Sequence, residues 1–178
     1  MPRQIALLRG VNLGSVRRVR MPELREVLER GPYDDVRTYL VSGNVVLSSD
    51  AAPEDVARDL EQRIAAELGV DTQVVVRTRD ELAAVVAGDP LAGVATEPRR
   101  YQVSFLSAEP DPRRVEALTA EDFGPERVVV RGREVYAWHP NGLQRSRLAR
   151  MLSEDRLGVT ATARNWNTVT ALLAMADE

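Results

Sequence analysis

The sequence predicts an α+β fold of two fused βαββαβ halves, with antiparallel sheets and a C-terminal helix. Three observations carry this. Short β-branched runs alternate with longer runs of helical apolar spacing. Pro and Gly stand where those helical runs begin and end. The element order β-α-β-β-α-β, which is the ferredoxin-like unit, occurs twice along 178 residues.

Ile5 to Leu8 is the first apolar run and reads as a strand. A loop from Gly10 to Arg20 follows. Pro22 opens a helix with Glu23 near its positive end, and Leu24, Val27 and Leu28 recur at helical spacing up to Gly31. Val36 to Val41 reads as a strand, Gly43-Asn44 as a tight turn and Val45 to Leu47 as the return strand. A helix spans Pro53 to Leu68, its stripe made by Val56, Leu60, Ile64 and Leu68, with Gly69 as its stop. Thr72 to Arg77 completes the first half. Thr78 and Glu81 then have capping-box spacing for a short helix to Val86.

The second half repeats the order. Tyr101 to Leu106 is a strand, and Asp111-Pro112 starts a helix with Asp as cap. Val128–Val130 and Val135–Trp138 are strands joined across Gly132. Ser146 to Leu157 is a helix, Val159 to Ala163 a strand, and Asn165 caps a last helix. The domain boundaries are 1–88 and 99–178, with the Gly, Pro and Ala-rich 88–98 as linker. The repetition is one of element order; no residue-level repeat is apparent.

Composition removes whole classes of chemistry. There is no cysteine and one histidine, His139, so disulfides, thiolate catalysis and multi-histidine metal sites are excluded. All 24 basic residues are arginine, which excludes a P-loop or Schiff-base lysine. The apolar run at the N-terminus is too short for a signal core or a membrane span, so a cytoplasmic protein without membrane contact is expected. Net charge is −3 but uneven: residues 1–49 carry +3, 50–139 carry −7 and 140–170 carry +3. The basic segments hold the polar motifs, which points mildly to an anionic partner.

The first strand alternates Ile5 and Leu7 on one face with Ala6 and Leu8 on the other. A sheet apolar on both faces needs cover on both. Helices supply one cover, and the second half or another copy of the chain supplies the other, so a homo-oligomer stays open.

The topology brings the first βα loop and the β-hairpin to one end of the first sheet. Arg9, Gly10, Asn12 and Gly14 then meet Ser42, Gly43 and Asn44, with Arg17, Arg18 and Arg20 in the same loop. In the second half, Pro140, Asn141, Gly142, Arg145 and Ser146 meet Arg164, Asn165 and Trp166. Arg9, Asn12, Ser42 and Asn44, and Arg145, Ser146, Arg164 and Asn165, are the candidate ligand residues. Arginines contact phosphate and asparagines orient it. The competing reading makes the asparagines turn formers, Ser146 and Asn165 plain helix caps, and Trp166 a core anchor.

Arg9-Gly10-Val11-Asn12-Leu13-Gly14, Met21-Pro22-Glu23-Leu24 and Ser42-Gly43-Asn44-Val45-Val46 resemble the start of the bacterial domain-of-unknown-function 1697 family. Tyr136, Pro140-Asn141-Gly142, Arg145-Ser146 and Thr162 to Val169 are similar to its ending, so the resemblance spans essentially the whole chain. The family pattern has a second glycine and a lysine where this chain has Ser15 and Arg17 or Arg18. The resemblance implies two ferredoxin-like subdomains and no established activity.

No catalytic constellation is present, no metal ligand set and no cofactor motif. The Gly10–Ser15 loop lacks a P-loop lysine, a third dinucleotide glycine is missing, and no serine stands at suggestive spacing from His139. Base stacking on the central strands is limited by parity: Gln102 and Ser104 turn Tyr101 and Phe105 toward the helices, leaving Tyr136 and Trp138 on the open face. The leading reading is binding of an anionic ligand, a phosphate-bearing small molecule or RNA. An enzyme acting on a small phosphorylated metabolite, and a structural or interaction protein with no ligand site, are the alternatives.

Overall fold

A computed structural model of the protein describes residues 1–14, 17–153 and 156–178. The first half contains β1 (Arg3–Leu8), α1 (Met21–Glu29), β2 (Asp34–Tyr39), β3 (Asn44–Ser48), α2 (Pro53–Leu68), β4 (Val74–Thr78) and α3 (Arg79–Ala87). The second contains β5 (Tyr101–Leu106), α4 (Pro112–Thr119), β6 (Arg127–Arg131), β7 (Glu134–Trp138), α5 (Arg147–Ser153), β8 (Ala161–Asn165) and α6 (Trp166–Ala176). The sheets have orders β2-β3-β1-β4 and β6-β7-β5-β8, with antiparallel neighbours throughout. This is the α+β architecture of two ferredoxin-like sheets that the sequence predicts.

The chain divides into two compact units, residues 1–84 with 171–178 and residues 85–170. In the first, Ala6, Leu8, Val45, Leu47, Val74 and Val76 on one sheet face pack with Leu24 and Leu28 of α1 and Leu60 and Ile64 of α2. Ile5, Leu7, Val46, Val75 and Arg77 are buried as well. The alternation of β1 is thus double-sided burial, as expected. The last residues close this unit: Asp177 accepts from Arg79 at 2.6 Å, and the Met175 carbonyl accepts from Arg37 at 2.6 Å.

Local chemistry fixes the boundaries. Pro22 lies in the first turn of α1, and Gly69 ends α2 in the left-handed region at φ 66°. The Thr78–Glu81 capping box is reciprocal: Glu81 Oε2 accepts the Thr78 N–H at 2.8 Å, and Thr78 Oγ1 accepts the Glu81 N–H at 3.1 Å. Asp111 caps α4 by accepting the Arg113 N–H at 2.9 Å. The strand β8 lies two residues later than the sequence suggests, because Arg164 and Asn165 pair with Val103 and Gln102 of β5. The C-terminal helical run from Ser146 is shorter than expected, with α5 ending at Ser153; the expected continuation through 154–155 lies outside the described residues, as does Ser15.

The second unit corrects the aromatic parity. In antiparallel pairing, residues directly opposite share a face. Tyr101 opposes Trp138, Val103 opposes Tyr136, and Phe105 opposes Glu134. Val135 and Ala137, opposite Ser104 and Gln102, join Leu106, Leu118, Leu148 and Met151 in the core against α4 and α5. Tyr101, Phe105, Tyr136 and Trp138 therefore all share the other face. The polarity of Gln102 and Ser104 misleads because both sit under the helices.

Candidate functional site

The end of the first sheet assembles as the topology requires. The Leu8 N–H donates to the Gly43 carbonyl at 2.9 Å, joining the end of β1 to the β2–β3 turn. Asn12 sits in the left-handed region at φ 57° and acts as a clasp. Its Nδ2 donates to the carbonyls of Val19 at 2.8 Å and Val41 at 2.6 Å, and its Oδ1 accepts the Val19 N–H at 2.9 Å. Asn44 is fully buried, and its Nδ2 donates to Ser42 Oγ and to the Tyr39 carbonyl, both at 2.9 Å. Arg9 donates to Gln73 Oε1 at 3.2 Å, while its carbonyl accepts from Thr72 Oγ1 at 2.8 Å. Arg9, Asn12, Ser42 and Asn44 thus lie at one end: Asn12 bonds across to the β2–β3 turn, Asn44 bonds within that turn, and Arg9 bonds to the segment before β4.

Asn12→Ala removes a three-bond clasp. The expected outcome is a loss of about 1–2 kcal/mol in urea denaturation, the range for partly buried hydrogen bonds left unmade. An asparagine serving only a ligand leaves the midpoint unchanged.

A cleft of about 460 Å³ opens beside this clasp. Its lining includes Asn12, Gly14, Arg18 and Arg20 and the apolar Val19, Met21, Pro22 and Val41. Arg18 and Arg20 are exposed, and residues 9–20 contain four arginines and no acid. Arg20 also pairs with Glu23 at 3.6 Å across the surface. The start of α1 contributes to it: Arg20 precedes the helix, and its side chain does not cap the first turn. Such a turn directs N–H groups outward and favours negative charge. Arg18 and Arg20, which the sequence places in the same loop, Met21 and Pro22 of the Met21–Leu24 motif, and Val41 line the cleft although none is among the eight candidate ligand residues. The acid-free arginine run is the signal that carries two of them.

The second cluster is organised differently. Ser146 Oγ accepts the Ala149 N–H at 2.9 Å, so it caps α5. It also donates to Glu126 Oε2 at 2.6 Å and lies 3.0 Å from His139 Nδ1, which is itself 2.6 Å from Glu126 Oε2. The sequence spacing of Ser146 and His139 suggests no such contact, yet the fold brings them together. The cluster is not a hydrolase triad, because serine and carboxylate meet the same ring nitrogen, whereas proton relay needs them on opposite nitrogens. Asn165 caps α6 by accepting the Thr168 N–H at 2.9 Å. Arg164 is buried and donates along its own strand to Thr162 Oγ1 at 2.7 Å and the Ala163 carbonyl at 2.8 Å; burial lowers its pKa to about 10. Arg145 is exposed in the turn before α5.

The four aromatics of the second sheet are buried. Tyr101 stacks on Trp166 with ring centroids 4.8 Å apart and donates to Asp89 Oδ1 at 2.5 Å. Tyr136 donates to the Val85 carbonyl at 3.3 Å. Trp166 is a packing anchor, and this face offers no open platform for bases.

The family model described as "Protein of unknown function (DUF1697)" matches residues 1–136. The chain belongs to this family. Its match takes in the first cluster and the cleft, while the motifs from Pro140 to Val169 lie beyond the matched residues. Among solved structures, the DUF1697 chain is similar to a conserved bacterial protein from Streptococcus pneumoniae, with 20% identity, a TM-score of 0.79 and 98% of each chain covered. At that identity the likeness establishes the fold alone. None of the curated proteins compared matches the DUF1697 chain. No helix among its described residues is long and apolar enough to cross a membrane.

Proposed function

We propose that this DUF1697 protein acts in the cytoplasm as a binding protein for a small phosphate-bearing ligand, held in the cleft between the β1–α1 loop and the β2–β3 turn. The single observation that carries the reading is the cleft itself, where Arg18 and Arg20 stand at the start of α1 with no acid in residues 9–20. Its volume of about 460 Å³ falls within the size of small-ligand sites. Arginine forks match phosphate geometry, and the first turn of α1 adds backbone donors of the right polarity. Asn12, Ser42 and Asn44 shape the site and do not contact the ligand. The second cluster is left out of the site, since Ser146 and Asn165 are committed as caps and Arg164 is buried. A small ligand is favoured over RNA because the aromatics that RNA would stack on are buried.

The test is calorimetric titration of inorganic phosphate into the wild type and an Arg18→Ala/Arg20→Ala variant of verified fold. Both substituted side chains are exposed, so stability is retained. Binding is expected to weaken about tenfold or more, the loss of one or two charge-assisted hydrogen bonds. Equal binding by the two proteins contradicts the reading. Tighter binding of labelled single-stranded RNA than of phosphate, lost in the same variant, makes nucleic acid the partner instead.

A further inference from the structure

The lining of the cleft says more about the ligand than its charge does. Among the described residues that line it, Asn12 carries the one neutral hydrogen-bonding side chain, and both its amide hydrogens already go to the Val19 and Val41 carbonyls. Its Oδ1 already accepts the Val19 N–H. The remaining uncharged side chains, Val19, Met21, Pro22 and Val41, are apolar. Hydroxyls of a sugar phosphate laid against Met21, Pro22 and Val41 would meet no polar side chain of those three residues and would give up water bonds without replacement there. An apolar body has no such loss. It also withdraws Val41, now 68% exposed, from water.

We infer that the ligand is an amphiphilic phosphate, in which the phosphate is joined to an apolar alkyl or aryl body. Arg18 and Arg20 take the anionic end, and the wall of Met21, Pro22 and Val41 takes the body. The inference rests on the phosphate reading above and specifies its substrate class.

Calorimetry with four probes at one ionic strength tests it: inorganic phosphate, hexyl phosphate, phenyl phosphate and glucose 6-phosphate. Hexyl and phenyl phosphate are expected to bind roughly tenfold or more tighter than inorganic phosphate, from the apolar area they bury. Glucose 6-phosphate is expected to bind no tighter than inorganic phosphate. Val41→Ser should cut the advantage of hexyl phosphate over inorganic phosphate, both measured on that variant, to about threefold or less. The side chain is exposed and the Asn12 bond uses the Val41 carbonyl, so this variant keeps the fold. Glucose 6-phosphate binding as tightly as hexyl phosphate, or a hexyl advantage untouched by Val41→Ser, overturns the inference. If inorganic phosphate still binds and is lost in the double arginine variant, the phosphate reading survives that result. Failure of all four probes to bind overturns both.

Discussion

Gly43→Val is expected to destabilise the protein by about 3–4 kcal/mol, lowering the thermal midpoint by roughly 10 °C. Two independent effects add. Gly43 has φ 87°, a region in which an L side chain costs about 1–2 kcal/mol. A Cβ placed there would lie 2.7 Å from Leu8 Cβ and 2.9 Å from Val11 Cγ2. Leu8 and Val11 are both buried, so neither can swing away. The Gly43 carbonyl also receives the Leu8 N–H, so any shift of the turn strains the joint on which the cleft is built. Gly132→Ala is the control. It has φ 56° in the β6–β7 turn and nothing within 4 Å of a new Cβ, so only the backbone effect of about 1 kcal/mol is expected. Thermal denaturation of the two variants separates the steric effect from the conformational one. Equal losses would falsify the account of the joint.

Tyr101→Ala should cost about 3–5 kcal/mol, the range for deleting a large buried ring. The ring is 1% exposed, stacked on Trp166 and 6.4 Å from Tyr136. Tyr101→Phe should cost only about 1 kcal/mol, because Asp89 Oδ1 keeps the Leu91 N–H at 3.0 Å after the hydroxyl is gone. The same residue shapes the alkaline limit. Burial, then the bond to Asp89, pushes the Tyr101 phenol well above its ordinary value, burial also raises Tyr33, and burial pushes Tyr136 up to about 12. Each folded pKa exceeds the unfolded value near 10, so the stability these groups contribute is complete below pH 10. It is lost as pH rises from 10 through the folded values, where the unfolded chain ionises first. Arg164 acts in the opposite sense, since its pKa lowered to about 10 lets the fold gain stability above that pH. Three tyrosines against one arginine leave a net loss. Urea unfolding between pH 9 and 12 should therefore show falling stability with a shallower slope in Tyr101→Phe, and an unchanged slope contradicts the assignment.

The elements that local chemistry specifies were legible in the sequence. The capping box at Thr78 and Glu81, the cap at Asp111 and the helix stop at Gly69 each depend on residues within a few positions, and each appears where the spacing places it. Long-range facts were not legible. The facing of Tyr101 and Phe105 depends on register with β7, which the polarity of Gln102 and Ser104 does not reveal. Ser146 and His139 touch directly and share Glu126, a residue with no local relation to either. Register also uncovers an internal correspondence that the linear sequence hides. Gln4 and Ile5 of β1 pair with Thr78 and Arg77, and Gln102 and Val103 of β5 pair with Asn165 and Arg164. Each fourth strand thus ends in a buried arginine followed by the cap of the next helix. The residues are too few and too scattered to register as a repeat until the strands are paired.

The candidate site divides the same way. The first loop and the hairpin meet at one end of the sheet, as the topology predicts, through Leu8, Asn12, Val41 and Gly43. Among the polar motif residues, Asn12 and Asn44 use their side-chain amides to hold the loop and the turn. A motif of Asn and Gly in two facing turns specifies a joint. The residues beside the joint, Arg18 and Arg20 with an apolar wall, form the cleft.

The most direct test of the central claim is a two-dimensional ¹H–¹⁵N NMR titration of the isotope-labelled protein with inorganic phosphate. The account predicts saturable shifts concentrated in the amides of Asn12, Gly14, Arg18 to Glu23 and Val41, absent in Arg18→Ala/Arg20→Ala. Saturable shifts centred instead on Arg145, Ser146, Arg164 and Asn165, or no saturable shift at all, would contradict it.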